Sequence, residues 1–109
     1  MIDHNQLFLD AFVYVNHYLK DNGYTFFPTS MGKYIASSGR DPFACMAFIK
    51  DGERYYIYFN SGKVSGEPLN EVYFTSLSLC SYNPYTLLNK VHVNTVEDVR
   101  VFMQHIETL

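Results

Sequence analysis

The stretch that decides the fold is Phe43-Ala-Cys-Met-Ala-Phe-Ile-Lys50, then Asp51-Gly52, then Glu53-Arg-Tyr-Tyr-Ile-Tyr-Phe-Asn60. Asp-Gly between two runs of β-prone residues predicts a hairpin, because a type I′ turn needs positive φ at both central positions. With a two-residue loop, Lys50 pairs with Glu53, and this pair of opposite charges supports the register. We therefore predict a tight antiparallel hairpin whose register can be counted outward from the turn.

This register gives the hairpin two different faces. One face is apolar and carries the pairs Phe48–Tyr55, Met46–Ile57 and Ala44–Phe59. The other face is mixed and carries the pairs Ile49–Arg54, Ala47–Tyr56, Cys45–Tyr58 and Phe43–Asn60. We expect the core under the apolar face, and a partner-binding surface on the mixed face that continues into the following loop: Arg54, Tyr56, Tyr58, Asn60 and Lys63.

An amphipathic helix is predicted before the hairpin. Asp3 and Gln6 have the spacing of a capping box, and Gly23 follows the expected helix end near Asp21. The apolar residues recur at helical spacing: Phe8, Ala11, Phe12, Val15, Tyr18 and Leu19. Acidic residues and a histidine lie on the opposite side: Asp3, Asp10, His17 and Asp21.

Further strands are predicted on both sides of the hairpin, at residues 24–27, 33–37 and 71–79, with a last short strand at 91–93. The polar residues 60–68 have the composition of an exposed loop. In the strand at 71–79, alternation puts Phe74 on the same face as Ser76 and Ser78. Asn83-Pro84 predicts a short helical turn that extends to Asn89.

A C-terminal helix completes the chain. Thr95 and Asp98 predict its capping box, and one face carries the apolar residues Val96, Val99, Phe102, Met103 and Ile106. Strands grouped between helices predict one α+β domain over residues 1–109, with a mainly antiparallel sheet of about five strands between an N-terminal and a C-terminal helix. The C-terminal helix has two alternative places. It covers the mixed face, which would make Tyr56 and Tyr58 core residues, or it leaves that face open.

Composition narrows the class of protein. The net charge is −3 and the basic residues are scattered, which disfavours sequence-specific or general contacts with nucleic acid. No window is apolar enough to span a membrane, and the N-terminus does not resemble a signal peptide. We expect a cytoplasmic protein, either of a microbe or in an infected host cell, that does not bind membranes.

Candidate catalytic and metal-binding residues are few. Cys45 and Cys80 fit two unlinked thiols in a reducing compartment, and Cys80, at a strand end, should be the more exposed. His17 and Asp21 lie four residues apart on a helix, with Asp10 the one further acid on that side, but such pairs are more typical of a solvated helix face. We expect no catalytic residue, no metal site and no cofactor.

In size, mild acidity, aromatic content and lack of motifs, the chain resembles small phage-encoded inhibitors of bacterial defence systems, such as anti-CRISPR proteins. The resemblance is one of general character and involves no specific residues. It implies a non-enzymatic protein-binding module that occludes a surface of a larger protein or nucleoprotein complex. Two other hypotheses stay open, which are a small cysteine- or histidine-dependent hydrolase or transferase, and a single-stranded nucleic-acid binder that uses the tyrosine face.

Overall fold

The computed structural model describes residues 2–28, 44–67 and 73–109. The strand predicted at 33–37, the pairing of Phe43 with Asn60 and the first two residues of the strand predicted at 71–79 lie outside the described residues.

Within the described residues the elements follow one another as α1 (His4–Asp21), β1 (Thr25–Pro28), β2 (Ala44–Lys50), β3 (Glu53–Gly62), β4 (Tyr73–Ser81), β5 (Thr86–His92), α2 (Val96–Gln104) and a terminal 3₁₀ helix (His105–Thr108). The strands form one sheet in the order β1-β2-β3-β4-β5, and all neighbouring strands are antiparallel. The predicted α+β fold, with a five-stranded antiparallel sheet between two helices, is confirmed.

The predicted hairpin register is confirmed for every described pair, from Lys50–Glu53 to Ala44–Phe59. Asp51 has φ 52° and Gly52 has φ 79°, so both turn residues adopt the positive φ that a type I′ turn requires. A single Asp-Gly dipeptide thus fixes which side chains of β2 and β3 point to each face of the sheet.

Helix α1 begins and ends where the sequence predicts. The Asp3 carboxylate accepts a hydrogen bond from the backbone N–H of Gln6 at 3.1 Å, but the Gln6 side chain donates to Asp10 at 2.9 Å, so only half of the predicted capping box forms. Gly23 has φ 77° and terminates the helix. The fully buried row is Leu7, Ala11, Val15 and Leu19, whereas the predicted core residues Phe8, Phe12 and Tyr18 are half-buried. The prediction is confirmed for Ala11, Val15 and Leu19 and missed Leu7, and the aromatic rings of the other three pack against the core at the edge of the stripe.

Helix α2 has the predicted capping box, with Thr95 and Asp98 bonded in both directions. Val99, Phe102, Met103 and Ile106 are fully buried. The prediction for Val96 was wrong, since it is 39% exposed; it occupies the first helical position, and the buried residues begin one turn later, at Val99.

Both helices pack on the same face of the sheet. The rings of Phe8 on α1 and Phe59 on β3 lie 5.9 Å apart, edge to face. At the other end of the molecule the Lys50 ammonium donates to the carbonyl oxygen of Ile106 at 2.8 Å. The buried residues of both helices join those of the predicted apolar hairpin face in one core, which includes Met46, Phe48, Ile57, Phe59, Leu77 and Leu79. The alternative in which the C-terminal helix covers the tyrosines is therefore wrong.

Strand β3 is longer than predicted. Asn60 to Gly62 belong to the strand and not to the loop, because they continue the pairing with β4. Between the pairs Asn60–Ser76 and Ser61–Phe74 the register shifts, so Thr75 is an extra residue on β4. Because of this bulge, the Phe74 side chain points into the core, where it is 1% exposed. The prediction that Phe74 shares the more polar face with Ser76 and Ser78 was therefore wrong.

Strand β5 replaces the helical turn that Asn83-Pro84 predicted. Residues 86–92 pair with β4 from Ser81–Thr86 to Ser76–His92, and the Asn83–Pro84 peptide is cis within the connecting turn. Pairing with the edge of β4 supplies backbone hydrogen bonds that a single helical turn of this length would leave unmade.

Candidate functional site

The candidate site lies on the face of the sheet opposite to the helices, which we call the open face. Strand alternation places Arg54, Tyr56, Tyr58 and Asn60 of β3 on this face, beside Cys45 and Ala47 of β2 and Ser76, Ser78 and Cys80 of β4. None of the described helices packs on it. The open face is therefore the surface on which the described part of β3 presents Tyr56 and Tyr58.

Four tyrosines and an arginine form a continuous row on the open face, which we call the tyrosine row. The Arg54 guanidinium lies 4.9 Å from the ring centroid of Tyr82. The Tyr82 ring contacts Tyr56 edge to face at 5.9 Å, and Tyr56 stacks beside Tyr58 at 6.0 Å. A hydrogen bond joins Tyr58 to Tyr85 and completes the row. Each member touches the next, so the row behaves as one preorganised surface.

The turn between β4 and β5 supplies two members that sequence reasoning missed. The backbone N–H of Tyr82 donates to the carbonyl oxygen of Arg54 at 3.0 Å, which extends the β3–β4 ladder by one pair. The Ser81 hydroxyl donates to the carbonyl oxygen of Pro84 at 2.7 Å and closes the turn. Tyr82 and Tyr85 are 51% and 64% exposed. Extending the alternation of Ser76, Ser78 and Cys80 by two more residues would have placed Tyr82 on the open face.

The electrostatics of the row are set by one half-buried phenol and one guanidinium. Burial and the hydrogen bond with Tyr85 raise the pKa of Tyr58 above its ordinary value, so its phenol stays neutral at physiological pH. Within the described residues the one ion pair joins Arg100 to Glu97 on α2, which leaves Arg54 without a carboxylate partner there. The row thus combines a neutral Tyr58 phenol with a guanidinium that forms no ion pair among the described residues.

The other two predicted partner-binding residues lie apart from the row. The Asn60 side chain is half-buried and donates to the hydroxyl oxygens of Ser76 at 3.1 Å and Ser78 at 2.7 Å, so it organises the sheet. Lys63 is exposed beyond the end of β3, where it lines a pocket of about 390 Å³ with His4 at the start of α1. The structure thus brings Arg54, Tyr56 and Tyr58 together and places Lys63 at the far end of the sheet.

The two cysteines lie on either side of β3. Cys45 is half-buried and Cys80 is 3% exposed, so the prediction that Cys80 is the more exposed was wrong; its thiol lies on the open face against the Tyr85 side chain, with which it shares a hydrogen bond. The two thiols are unlinked, and they lie on β2 and β4, which β3 separates by about 9–10 Å, too far for a disulfide.

The histidines do not approach the thiols. His92 pairs with Ser76, four residues along β4 from Cys80, which puts about 13 Å of strand between them. His4, His17 and His105 belong to helices on the other side of the sheet. A thiol and an imidazole within hydrogen-bond reach, as nucleophilic catalysis requires, does not occur among the described residues.

The predicted pair on α1 forms no site with a third ligand. His17 and Asp21 line a shallow depression of about 210 Å³ together with Tyr14, Tyr18 and Asn22. Asp10 accepts from Gln6 instead. In the described parts of the chain no group of three or more side chains has the geometry to hold a metal ion.

No family model, curated protein or solved structure matches this chain. Of the helices in the described ranges, none combines the length and the apolarity that crossing a membrane requires. The site must therefore be interpreted from its own geometry, which is a flat aromatic surface with a cation at one end.

Proposed function

We propose that this protein is a non-enzymatic protein-binding module that docks on a larger protein or nucleoprotein complex through its open face. The observation that carries the proposal is the tyrosine row, in which Tyr82 and Tyr85 expose more than half of their surface while no described element packs over them. Tyrosine and arginine are the residues that most often dominate the binding energy of protein interfaces.

The internal contacts of the row support this proposal. Ring contacts hold Tyr56 between Tyr58 and Tyr82, and the cation–π contact holds Arg54 against Tyr82. Side chains that are already ordered lose less conformational entropy when a partner binds. Two exposed apolar side chains on the same face, Phe27 of β1 and Leu87 of β5, widen the surface beyond the row.

The proposal extends to inhibition. The general character of the chain resembles that of small phage-encoded inhibitors of bacterial defence systems, which act by occupying a surface of their target. A module with one broad aromatic face and no need of a reactive centre suits that mode of action. The separation of the cysteines from the histidines favours this hypothesis over a cysteine- or histidine-dependent enzyme.

Single-stranded nucleic acid is the second candidate ligand of the open face. The near-parallel rings of Tyr56 and Tyr58, 25° apart, are the observation that favours it, because unpaired bases stack on aromatic side chains of sheets. The net charge of −3 works against it, since such binders need a basic surround.

Site-specific photocrosslinking tests the proposed function. A photoreactive phenylalanine analogue replaces Tyr82, and the same analogue replaces Val13 on α1, which is 52% exposed and serves as a matched control. In extracts of the source cells we expect a discrete protein adduct from position 82 that disappears when Tyr56→Ala is added. Equal adducts from both positions, or adducts that persist in the Tyr56→Ala variant, would contradict the proposal.

A further inference from the structure

Charge is unevenly distributed between the two sides of the sheet. The chain has a net charge of −3, yet the described strand residues of the open face include Arg54 and Lys90 and no aspartate or glutamate. The described carboxylates lie at the helices, at the hairpin turn or in the loop after β3: Asp3, Asp10, Asp21, Asp51, Glu53, Glu67, Glu97, Asp98 and Glu107. Among the described residues, the open face therefore carries positive charge, although the protein as a whole is acidic.

Neither cation of the open face has a carboxylate partner among the described residues, where the one ion pair is Arg100–Glu97. The Arg54 guanidinium is held over the Tyr82 ring, and its N–H groups make no hydrogen bond with the described residues. A guanidinium that is held in place and keeps its donors available suits bidentate binding of a carboxylate. Lys90 is exposed on β5 and can supply a second charge contact.

The register sets the distance between these two cations. Arg54 lies level with Tyr82, and Lys90 pairs with Ser78, four residues back along β4 and one strand further across the sheet. Two strand spacings across and four residues along give about 16 Å between the two Cα atoms. Side chains on one face of an extended peptide are an even number of residues apart, and spacings of four and six residues, about 14 Å and about 20 Å, bracket this distance.

Apolar surface fills the space between the cations. Cys80, midway between them, is only 3% exposed, so the accessible surface there belongs to its two cross-strand neighbours, Tyr56 on β3 and Leu87 on β5. Leu87 is 56% exposed, so a peptide that crossed from Arg54 to Lys90 would bury it. Apolar side chains between two acidic residues would complement this floor.

We infer that the open face binds an extended acidic segment of a partner protein, in which two carboxylates on the same side of the segment, at an even spacing of about four to six residues, reach Arg54 and Lys90, and apolar side chains between them pack on Tyr56 and Leu87. This inference rests on the proposed function and names the chemistry of the partner. A second copy of the chain fits less well, because it would set cations against cations. Nucleic acid fits less well, because two cations do not neutralise a phosphate at every nucleotide.

Selection from a displayed library of random peptides, each about twelve residues long and so able to span the whole distance, tests the inference. The baits are the parent protein, the double variant Arg54→Gln/Lys90→Gln, and Tyr56→Ala. The matched control is Lys20→Gln/Arg100→Gln, which removes the same two residue types from the helices. Circular dichroism establishes that each bait is folded.

We expect the parent to enrich peptides with two acidic residues at an even spacing of about four to six, and the double variant to bind them about a hundredfold more weakly, at about tenfold per lost charge contact. The Lys20→Gln/Arg100→Gln control should bind them like the parent. If the parent instead enriches neutral or basic peptides, and only the Tyr56→Ala variant fails to bind them, the inference of an acidic partner is wrong and the proposed function still stands. If no enriched peptide depends on Tyr56, both fail.

A single-stranded oligodeoxythymidine provides the second arm. Its binding is measured by fluorescence anisotropy at moderate salt, with the same variants. We expect no binding to the parent protein. Tight binding that is lost in Arg54→Gln/Lys90→Gln would assign the open face to unpaired nucleobases and overturn the acidic protein segment.

Discussion

Replacing one aromatic residue on each face of the sheet measures which face is the core. Phe102 on α2 is 0% exposed, whereas Tyr56 on the open face is half-buried. If both helices pack on one face, Phe102→Ala empties the core and Tyr56→Ala removes only a surface ring. If α2 covered the tyrosines, the two substitutions would cost similar amounts of stability.

The structure gives the size of each effect. Truncating a fully buried phenylalanine costs about 3–5 kcal/mol, from lost transfer free energy and the cavity left behind. Tyr56→Ala loses part of a half-exposed ring and the contacts with Tyr58 and Tyr82, which amounts to about 1–2 kcal/mol. A domain of this size has roughly 5–15 kcal/mol of stability in total, so only Phe102→Ala approaches unfolding.

Urea unfolding followed by circular dichroism separates the two variants. With a slope of about 1.5 kcal/mol per molar urea, the midpoint should fall by about 2–3 M for Phe102→Ala and by about 1 M for Tyr56→Ala. The slopes should match that of the parent, which shows that the midpoints report stability. Equal midpoint shifts, or a larger shift for Tyr56→Ala, would refute the assignment of the core to the helix face.

Three further predictions follow from described contacts. Asn60→Ala should lower the free energy of unfolding by about 1–2 kcal/mol, because the buried hydroxyl groups of Ser76 and Ser78 lose their hydrogen-bond donor. An unchanged free energy of unfolding in urea would exclude this role for Asn60. Asp98→Ala should lower it by about 1 kcal/mol at neutral pH through loss of the capping box. The backbone N–H groups of Asn94 and Thr95 hold the pKa of the Asp98 carboxyl below its ordinary value, so this contribution is present above the unfolded-state pKa and is lost as pH falls through the folded-state pKa. The difference in melting temperature between the parent and Asp98→Ala should therefore become smaller as the pH is lowered through the acidic range. A difference that stays constant with pH would exclude a contribution from the carboxylate charge. Reductant should leave the melting temperature unchanged, and a clear drop would reveal a disulfide between the two cysteines.

The features that follow from local signals could be predicted from the sequence. The Asp51–Gly52 turn determines φ at two residues, and the period of two then assigns every side chain of β2 and β3 to a face. The caps at Asp3 and Thr95 fix the beginnings of both helices in the same local way. Three of the five residues of the tyrosine row came from this reasoning.

The features that depend on pairing between distant residues could not be predicted. The bulge at Thr75, which turns Phe74 into the core, exists only because β4 pairs with β3. The local sequence around Pro84 predicts the start of a helix, but residues 86–92 form a strand because they pair with the edge of β4. Tyr85 joins the open face through that turn and therefore depends on the same pairing, whereas Tyr82 only continues the alternation of β4 and could have been predicted.

Selective ¹³C labelling of tyrosine rings tests the central claim most directly, because the open face carries its own set of tyrosines. When the partner captured by crosslinking is added, we expect the ring signals of Tyr56, Tyr58, Tyr82 and Tyr85 to shift or broaden. The signals of Tyr14, Tyr18 and Tyr24, on or next to α1, should stay in place. Shifts confined to Tyr14, Tyr18 and Tyr24, with the four open-face signals unchanged, would contradict the assignment of the open face as the binding surface.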